Sequence, residues 1–182
     1  PSRPGVRAGV FEIDGAALYL KAGTVLDYEA QQSYDVTVRV DDPSVGSSPD
    51  ASTTFALTLT DVNEAPSAVS LQNTVTSLAE NTATASRIKV ADITVTDDAL
   101  GSNALSLAGA DAGVFEIDGA ALYLKAGTVL DYEAQHSYDV TVRVDDPSVG
   151  SSPNATTTFA LTLTDVNDPP AVSLENTVPS LA

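Results

Sequence analysis

The sequence contains no cysteine, no methionine, no tryptophan and a single histidine, and it carries only 8 basic residues against 25 acidic ones. Each shortage closes a door. Without cysteine there is no disulfide and no thiolate metal site, so stability must come from core burial or from a metal held by other ligands. With a formal net charge of -17, the surface repels nucleic acid and anionic lipid, whose recognition depends on Lys and Arg. The natural counter-charge is a small cation. No run approaches the roughly 18 to 20 apolar residues of a membrane span, so no direct membrane insertion is expected of this segment. Composition of this kind can signal disorder, but 43% apolar residues suffice for packed cores.

What the chain does contain is a repeat. Residues 9–63 align with 113–167 at an offset of 104, and of these 55 positions only three differ: Gln32/His136, Asp50/Asn154 and Ser52/Thr156. An offset of that size marks a tandem array of domain-sized units. The expected division is the last part of one unit in 1–66, a complete unit in 67–170 and the start of a third in 171–182. The complete unit is expected to fold independently and the leading fragment to be marginal, because it lacks counterparts of the opening strands.

Within a unit the apolar residues alternate. Tyr138, Val140, Val142 and Val144 interleave with Asp139, Thr141, Arg143 and Asp145, and Phe159, Leu161 and Leu163 with Ala160, Thr162 and Thr164. Period two gives each strand one buried and one wet face. Asp118-Gly119 is a hairpin signal, and the apolar phase slips between Val90 and Ala91, as at a bulge. About seven short strands in about 100 residues, punctuated by Gly, Pro, Asn and Asp, predict an all-β, Ig-like Greek-key β-sandwich.

Fifteen of the 25 acids fall in short motifs at strand ends: Asp27/Glu29 and Asp131/Glu133 in DYE, Asp41/Asp42 and Asp145/Asp146 in VDD, Asp61/Glu64 and Asp165/Asp168 in DVNE and DVND, Glu80 in AEN, and Asp97/Asp98 in TDD. Gathered carboxylates repel one another unless a cation neutralises them. Oxygen ligands without nearby His or Cys suit a hard ion, and Ca²⁺ with its six to eight flexible ligands better than Mg²⁺. Asp and Asn at strand ends are also ordinary turn formers, which is the plain structural alternative.

These motifs, in this order, resemble those of the cadherin repeat family, most closely its bacterial members in long secreted or surface proteins. LDYE is similar to the family's Leu-Asp-Arg-Glu, DVNEAP and DVNDPP to its Asp-x-Asn-Asp-x-Pro linker, AENT to its x-Glu-Asn, and VDD to its Ala-x-Asp. The resemblance implies cadherin-like sandwiches with Ca²⁺ between successive repeats. One junction would draw on Asp27, Glu29, Asp61, Asn63 and Glu64 from one side and Asp97, Asn103 and Asp146 from the other. A second would use Glu80, Asp131, Glu133, Asp165, Asn167 and Asp168, and Asp42 would serve an earlier one. Asp146 is preferred to Asp145 because it continues the inward parity of Val142 and Val144. In the family's Asp-x-Asp-x-Gly-x-Asn pattern, anchored on Gly101 and Asn103, Ala99 stands in place of the second Asp, with Asp98 beside it, so one ion is lost or held differently. Neither ligand set is complete within this chain.

The expected function is therefore a non-catalytic, extracellular or cell-surface module that Ca²⁺ rigidifies for adhesion or spacing, with homophilic or polysaccharide contacts as its further partners. The alternative is a carbohydrate-binding or noncatalytic accessory module of a secreted enzyme, and an exposed coplanar pair of tyrosines would favour sugar binding. His136 is expected to have no ligand or catalytic role, since Gln32 takes its place in the other copy. The sequon Asn154-Ala155-Thr156 is read as chance, because Asp50 replaces Asn154. Tyr28 and Tyr132 are expected to pack rather than bind.

Overall fold

The structure, a computed structural model, describes residues 8–46, 48–170 and 172–173. Most of the expected third-repeat start therefore lies outside the described residues. The chain divides into two compact units, Pro1–Val62 and Asn63–Ala182.

In the first unit β1 (Phe11–Asp14) and β2 (Ala17–Leu20) form one hairpin, and β3 (Ser33–Val40) and β4 (Ala51–Thr58) form a second, separate antiparallel pair. Phe11, Tyr34 and Val36 are its buried apolar residues, with Val10, Leu18, Leu57 and Leu59 packed around them.

The second unit is a sandwich of two four-stranded sheets. It contains β5 (Ala68–Gln72), β6 (Ser77–Ala79), β7 (Ile88–Thr96), β8 (Ala104–Ala108), β9 (Phe115–Asp118), β10 (Ala121–Leu124), β11 (Ser137–Asp145) and β12 (Ala155–Thr164). One sheet runs β5-β7-β10-β9 and the other β6-β12-β11-β8. The inward faces of both sheets meet in a core that includes Val90, Ile93, Phe115, Leu122, Leu124, Val140, Val142, Val144, Phe159, Leu161 and Leu163. Strand β11 has the burial alternation that its sequence predicts, with Tyr138, Val140, Val142 and Val144 inside.

Three details carry the local sequence signals. The β9–β10 hairpin closes after Asp118, which pairs with Ala121, and Gly119 turns the chain at φ +57°, a region costly for a side chain with a Cβ. Leu122 pairs with Ala91 and Tyr123 with Lys89, so Val90 is the extra residue of a bulge, and Val90 and Ala91 are both buried. Strand β6 runs parallel to β12, the single parallel ladder among the described strands. Short alternating strands do not encode direction, so the sequence could not have revealed that pairing.

Candidate metal centre

Strand β11 ends by pointing Asp146 inward, and its carboxylate becomes the hub of one pole of the second unit. Asp146 is 1% exposed. Its Oδ1 accepts from the Ser148 N–H (2.9 Å) and hydroxyl (2.6 Å), and its Oδ2 from Asn63 Nδ2 (3.1 Å) and the Ser102 N–H (3.2 Å). These donors, Ser148 first, hold its pKa down at about 2 against the opposing cost of burial. The carboxylate is therefore ionised at any ordinary pH. Asn103 Nδ2 donates to Asp97 Oδ2 at 2.7 Å, joining two more of the expected ligands. Gly101, at φ +67°, lies so close that a Cβ there would fall 2.0 Å from Asp146 Oδ2 and 2.4 Å from Asn63 Oδ1. Only glycine fits that crossing, because the backbone has to run against the two ligands.

The same pole leaves oxygen atoms without donors. Asn63 Oδ1, Asp97 Oδ1 and Asp145 Oδ1 are buried and make no hydrogen bond. Buried acceptors normally find partners, and these are carboxylate and amide oxygens, the donor set of a hard cation. The residues thus fit a Ca²⁺ ion. Asp98 does something different. Its Oδ2 accepts the Glu64 N–H (2.7 Å) and its Oδ1 the Leu100 N–H (2.8 Å), while Ala99 adopts φ 69°. Asp98 clamps the linker to the loop.

At the opposite pole Glu80, Asp131 and Glu133 each place one oxygen within 4.8 Å of the others. Glu80 anchors them: its Oε2 accepts the Tyr132 N–H (2.7 Å) and its Oε1 the Val166 N–H (2.6 Å), and these bonds lower its pKa. Asp131 Oδ1 caps its turn by accepting the Ala134 N–H at 2.8 Å. For Glu133 a backbone N–H lowers the pKa, but burial and repulsion from Glu80, Asp165 and Asp168 outweigh that bond and raise it. Asp165 and Asp168 therefore belong to the same electrostatic neighbourhood. Asn167 instead turns Nδ2 to the Asp168 carbonyl (3.3 Å). Tyr132 stacks on His136, with centroids 4.2 Å apart, so the histidine acts as a ring partner for the D-Y-E turn.

In the first unit, Asp27 Oδ1 accepts the Ala30 N–H (2.8 Å), and the Leu59 N–H donates to the Gln32 carbonyl (2.9 Å). That bond brings the D-Y-E turn and the chain leading to Asp61 to the same end of the unit. Asp61 Oδ1 is buried without a hydrogen-bond partner. Asp42 Oδ1 accepts the Ser44 N–H (2.9 Å) and hydroxyl (2.5 Å), and these bonds lower its pKa. Glu29 is exposed at its turn, and the Glu64 side chain is exposed on the linker. Sequence reasoning missed Ser102, Ser148 and Asn154 as supports of Asp146. Serine and asparagine near an aspartate are too common to signal such a role.

No family model matches the chain. It is 34% identical over 170 residues to human Protocadherin Fat 4 and 32% identical over the same length to the mouse protein, in each case over 91% of this chain. These are cadherin-like domains. The chain spans only 3% of the length of those relatives. Among solved structures, the Protocadherin Gamma B2 extracellular cadherin domains 1-5 align with a TM-score of 0.63 at 22% identity, over 91% of this chain and 32% of that one. Human Mucin-like Protocadherin EC1-2 aligns at 0.58 and 20% identity, over 88% and 79%. That likeness shows the fold: a cadherin-like β-sandwich. A module of this class is not an enzyme. No helix among the described residues is long and apolar enough to cross a membrane.

Proposed function

We propose that this chain is an extracellular, adhesion-type segment of a longer cell-surface protein, of bacterial type as its motifs imply, in which Ca²⁺ ions rigidify the junctions between cadherin-like repeats. The observation that carries the reading is the Glu80, Asp131 and Glu133 cluster, in which each carboxylate places one oxygen within 4.8 Å of the others and burial together with the Glu80 charge helps to raise Glu133. Such an arrangement costs stability without a cation and supports cation binding with one. The donor-less oxygens of Asn63 and Asp97 beside Asp146 support the same reading at the other pole. Asp27, Glu29, Asp61, Glu64, Asp165, Asn167, Asp168 and Asp42 are assigned as ligands on the motif resemblance. Homophilic contact is the proposed use of the array, in keeping with a relative solved as a Protocadherin gammaB7 cis-dimer.

Carbohydrate binding gains no support from the tyrosines. Tyr34 and Tyr138 are buried, Tyr123 lies under the Arg87 guanidinium at 4.2 Å, Tyr132 pairs with His136, and Tyr19, although 50% exposed, stacks with no second tyrosine among the described residues. The ring contacts among the described residues join no two tyrosines.

Calcium titration by calorimetry of a polypeptide carrying whole junctions, with melting followed in EDTA and in millimolar Ca²⁺, tests the proposal. Extracellular calcium modules bind at about 10⁻⁴ to 10⁻³ M. A raised melting temperature and saturable heat are expected. Identical melting in both conditions would show that the carboxylates are solvated turns.

A further inference from the structure

Two repeats that are identical at 52 of 55 positions differ by one charge, and the difference lies behind a hub residue. In the second unit the Asp146 N–H donates to Asn154 Oδ1 at 2.6 Å. Asn154 Nδ2 donates in turn to the Val149 carbonyl (3.1 Å) and, more weakly, to that of Ser151 (3.3 Å), and its own N–H reaches the Val144 carbonyl (3.1 Å). The amide thus uses both its acceptor and its donor ends to close the 146–154 loop. In the first unit Asp50 fills this position. Its Oδ2 accepts the Asp42 N–H at 2.5 Å and its N–H reaches the Val40 carbonyl at 3.0 Å, so these two bonds are the same in both copies. A carboxylate, however, has no hydrogen to give to the loop's carbonyls, and it sets a second negative charge behind Asp42.

We infer that this position decides how far the loop depends on the cation: Asn154 is a positioning residue that lets the Asp146 loop support itself, whereas Asp50 leaves its loop dependent on bound Ca²⁺. The inference rests on the calcium reading above. Asparagine supplies loop-closing donors at no charge cost. Aspartate removes those donors and adds like-charge repulsion, which a divalent ion then offsets, since an opposite charge nearby favours the ionised carboxylate. The Asp50 type of repeat therefore gains more from the ion than the Asn154 type. The same bonds occupy the Asn154 side-chain nitrogen, the atom a glycan would need.

The test uses a polypeptide carrying whole junctions and compares the parent with Asn154→Asp and Asn154→Ala by amide hydrogen exchange in EDTA and in millimolar Ca²⁺, with Val142 as the control for an intact core. In EDTA both variants should exchange the Asp146 and Ser148 amides about tenfold faster than the parent, from the loss of one to two neutral hydrogen bonds. With Ca²⁺, Asn154→Asp should return close to the parent rate and show a larger calcium-dependent gain than the parent. Asn154→Ala, which adds no charge, should show no larger gain. Unchanged loop exchange in EDTA would overturn the positioning role. Equal calcium-dependent gains in parent and Asn154→Asp would overturn the charge compensation. If no protein responded to Ca²⁺, the calcium reading itself would fall, and this inference with it. Should Asn154→Asp lose protection at Val142 in EDTA, recovery of that protection on adding Ca²⁺ is the expected result, and failure to recover in a parent that does respond overturns the proposal.

Discussion

Val144 and Val40 are the same residue in two copies of one strand, yet Val144 is 0% exposed and Val40 64%. Phe159 and Phe55 repeat the contrast at 3% and 45%. The local structure hardly differs. In both copies the phenylalanine meets its partner edge to face, Phe115 with Phe159 at 5.8 Å and Phe11 with Phe55 at 6.0 Å, and β3–β4 pairs in the register of β11–β12. What differs is cover. The second unit lays β5 to β8 over and beside these strands, and the described residues of the first unit contain no counterpart to them. Nearly identical strands therefore reach the same backbone pairing, while burial is decided by a segment elsewhere in the chain. Complete burial of a Val, Leu or Phe side chain is worth about 1.5–3 kcal/mol, so the two copies have very different stabilities to lose.

The largest effect expected from that contrast is on core truncation. Leu161→Ala should cost the second unit about 2–5 kcal/mol, the usual range for a buried leucine, whereas Leu57→Ala, half-buried in the first unit, should cost well under half as much. Urea unfolding of each variant, with each unit followed by its own amide signals, checks this. Similar costs would mean that the first unit is covered in solution. A second measurement is exchange at two equivalent amides. Val142 is expected to exchange only with global unfolding of its unit and Val38 at least about a hundredfold faster, and equal protection in a monomeric chain would break the comparison.

Calcium removal ranks next. At a hundred times its dissociation constant a ligand adds about 2.7 kcal/mol, so EDTA should lower the melting temperature of a polypeptide carrying whole junctions. In Glu80→Gln that calcium-dependent gain should shrink, because the substitution removes a charge and sets an NH₂ against one of two backbone N–H donors. A full gain in Glu80→Gln would remove this glutamate from the ligand set.

The smallest effect is acid dependence. Asp146 is depressed from 3.8 to about 2 in the folded state. The stability this contributes is present above the unfolded value and is lost as pH falls through the folded one, between about pH 4 and pH 2. Following the Asp146 carboxyl by NMR should show its low midpoint, and Asp146→Asn should remove that segment of the acid-unfolding curve. A midpoint near 3.8 would mean that the hydrogen bonds from Ser148, Asn63 and Ser102 do not persist in solution.

Much of this architecture is legible in the residues. Strict alternation from Tyr138 to Val144 marks the inward face and carries it on to Asp146, and the phase slip at Val90 marks the bulge. Asp118-Gly119 marks the hairpin. These features depend on neighbours a few positions apart. Asp98 shows where the reading stops. Nothing in the residues beside it shows that the Glu64 N–H, 34 positions earlier in the chain, donates to one of its oxygens. The parallel course of β6 beside β12 is equally silent in the sequence, since Ser77-Leu78-Ala79 alternates the same way in either direction.

The sequence by itself determined the repeat, the strands, which side of each strand is apolar, and which oxygen-bearing residues crowd the strand ends. These follow from period and composition, which short-range sterics and the pleat translate directly into geometry. The tertiary structure decided which of those oxygens converge and which apolar faces are covered. Asn63 meets Asp146 across 83 positions and Glu80 meets the Val166 N–H across 86. Contacts of that span arise only when the sheets close over a shared core, so two nearly identical stretches of chain can carry the same strands and yet differ in burial and in the support of their acidic loops.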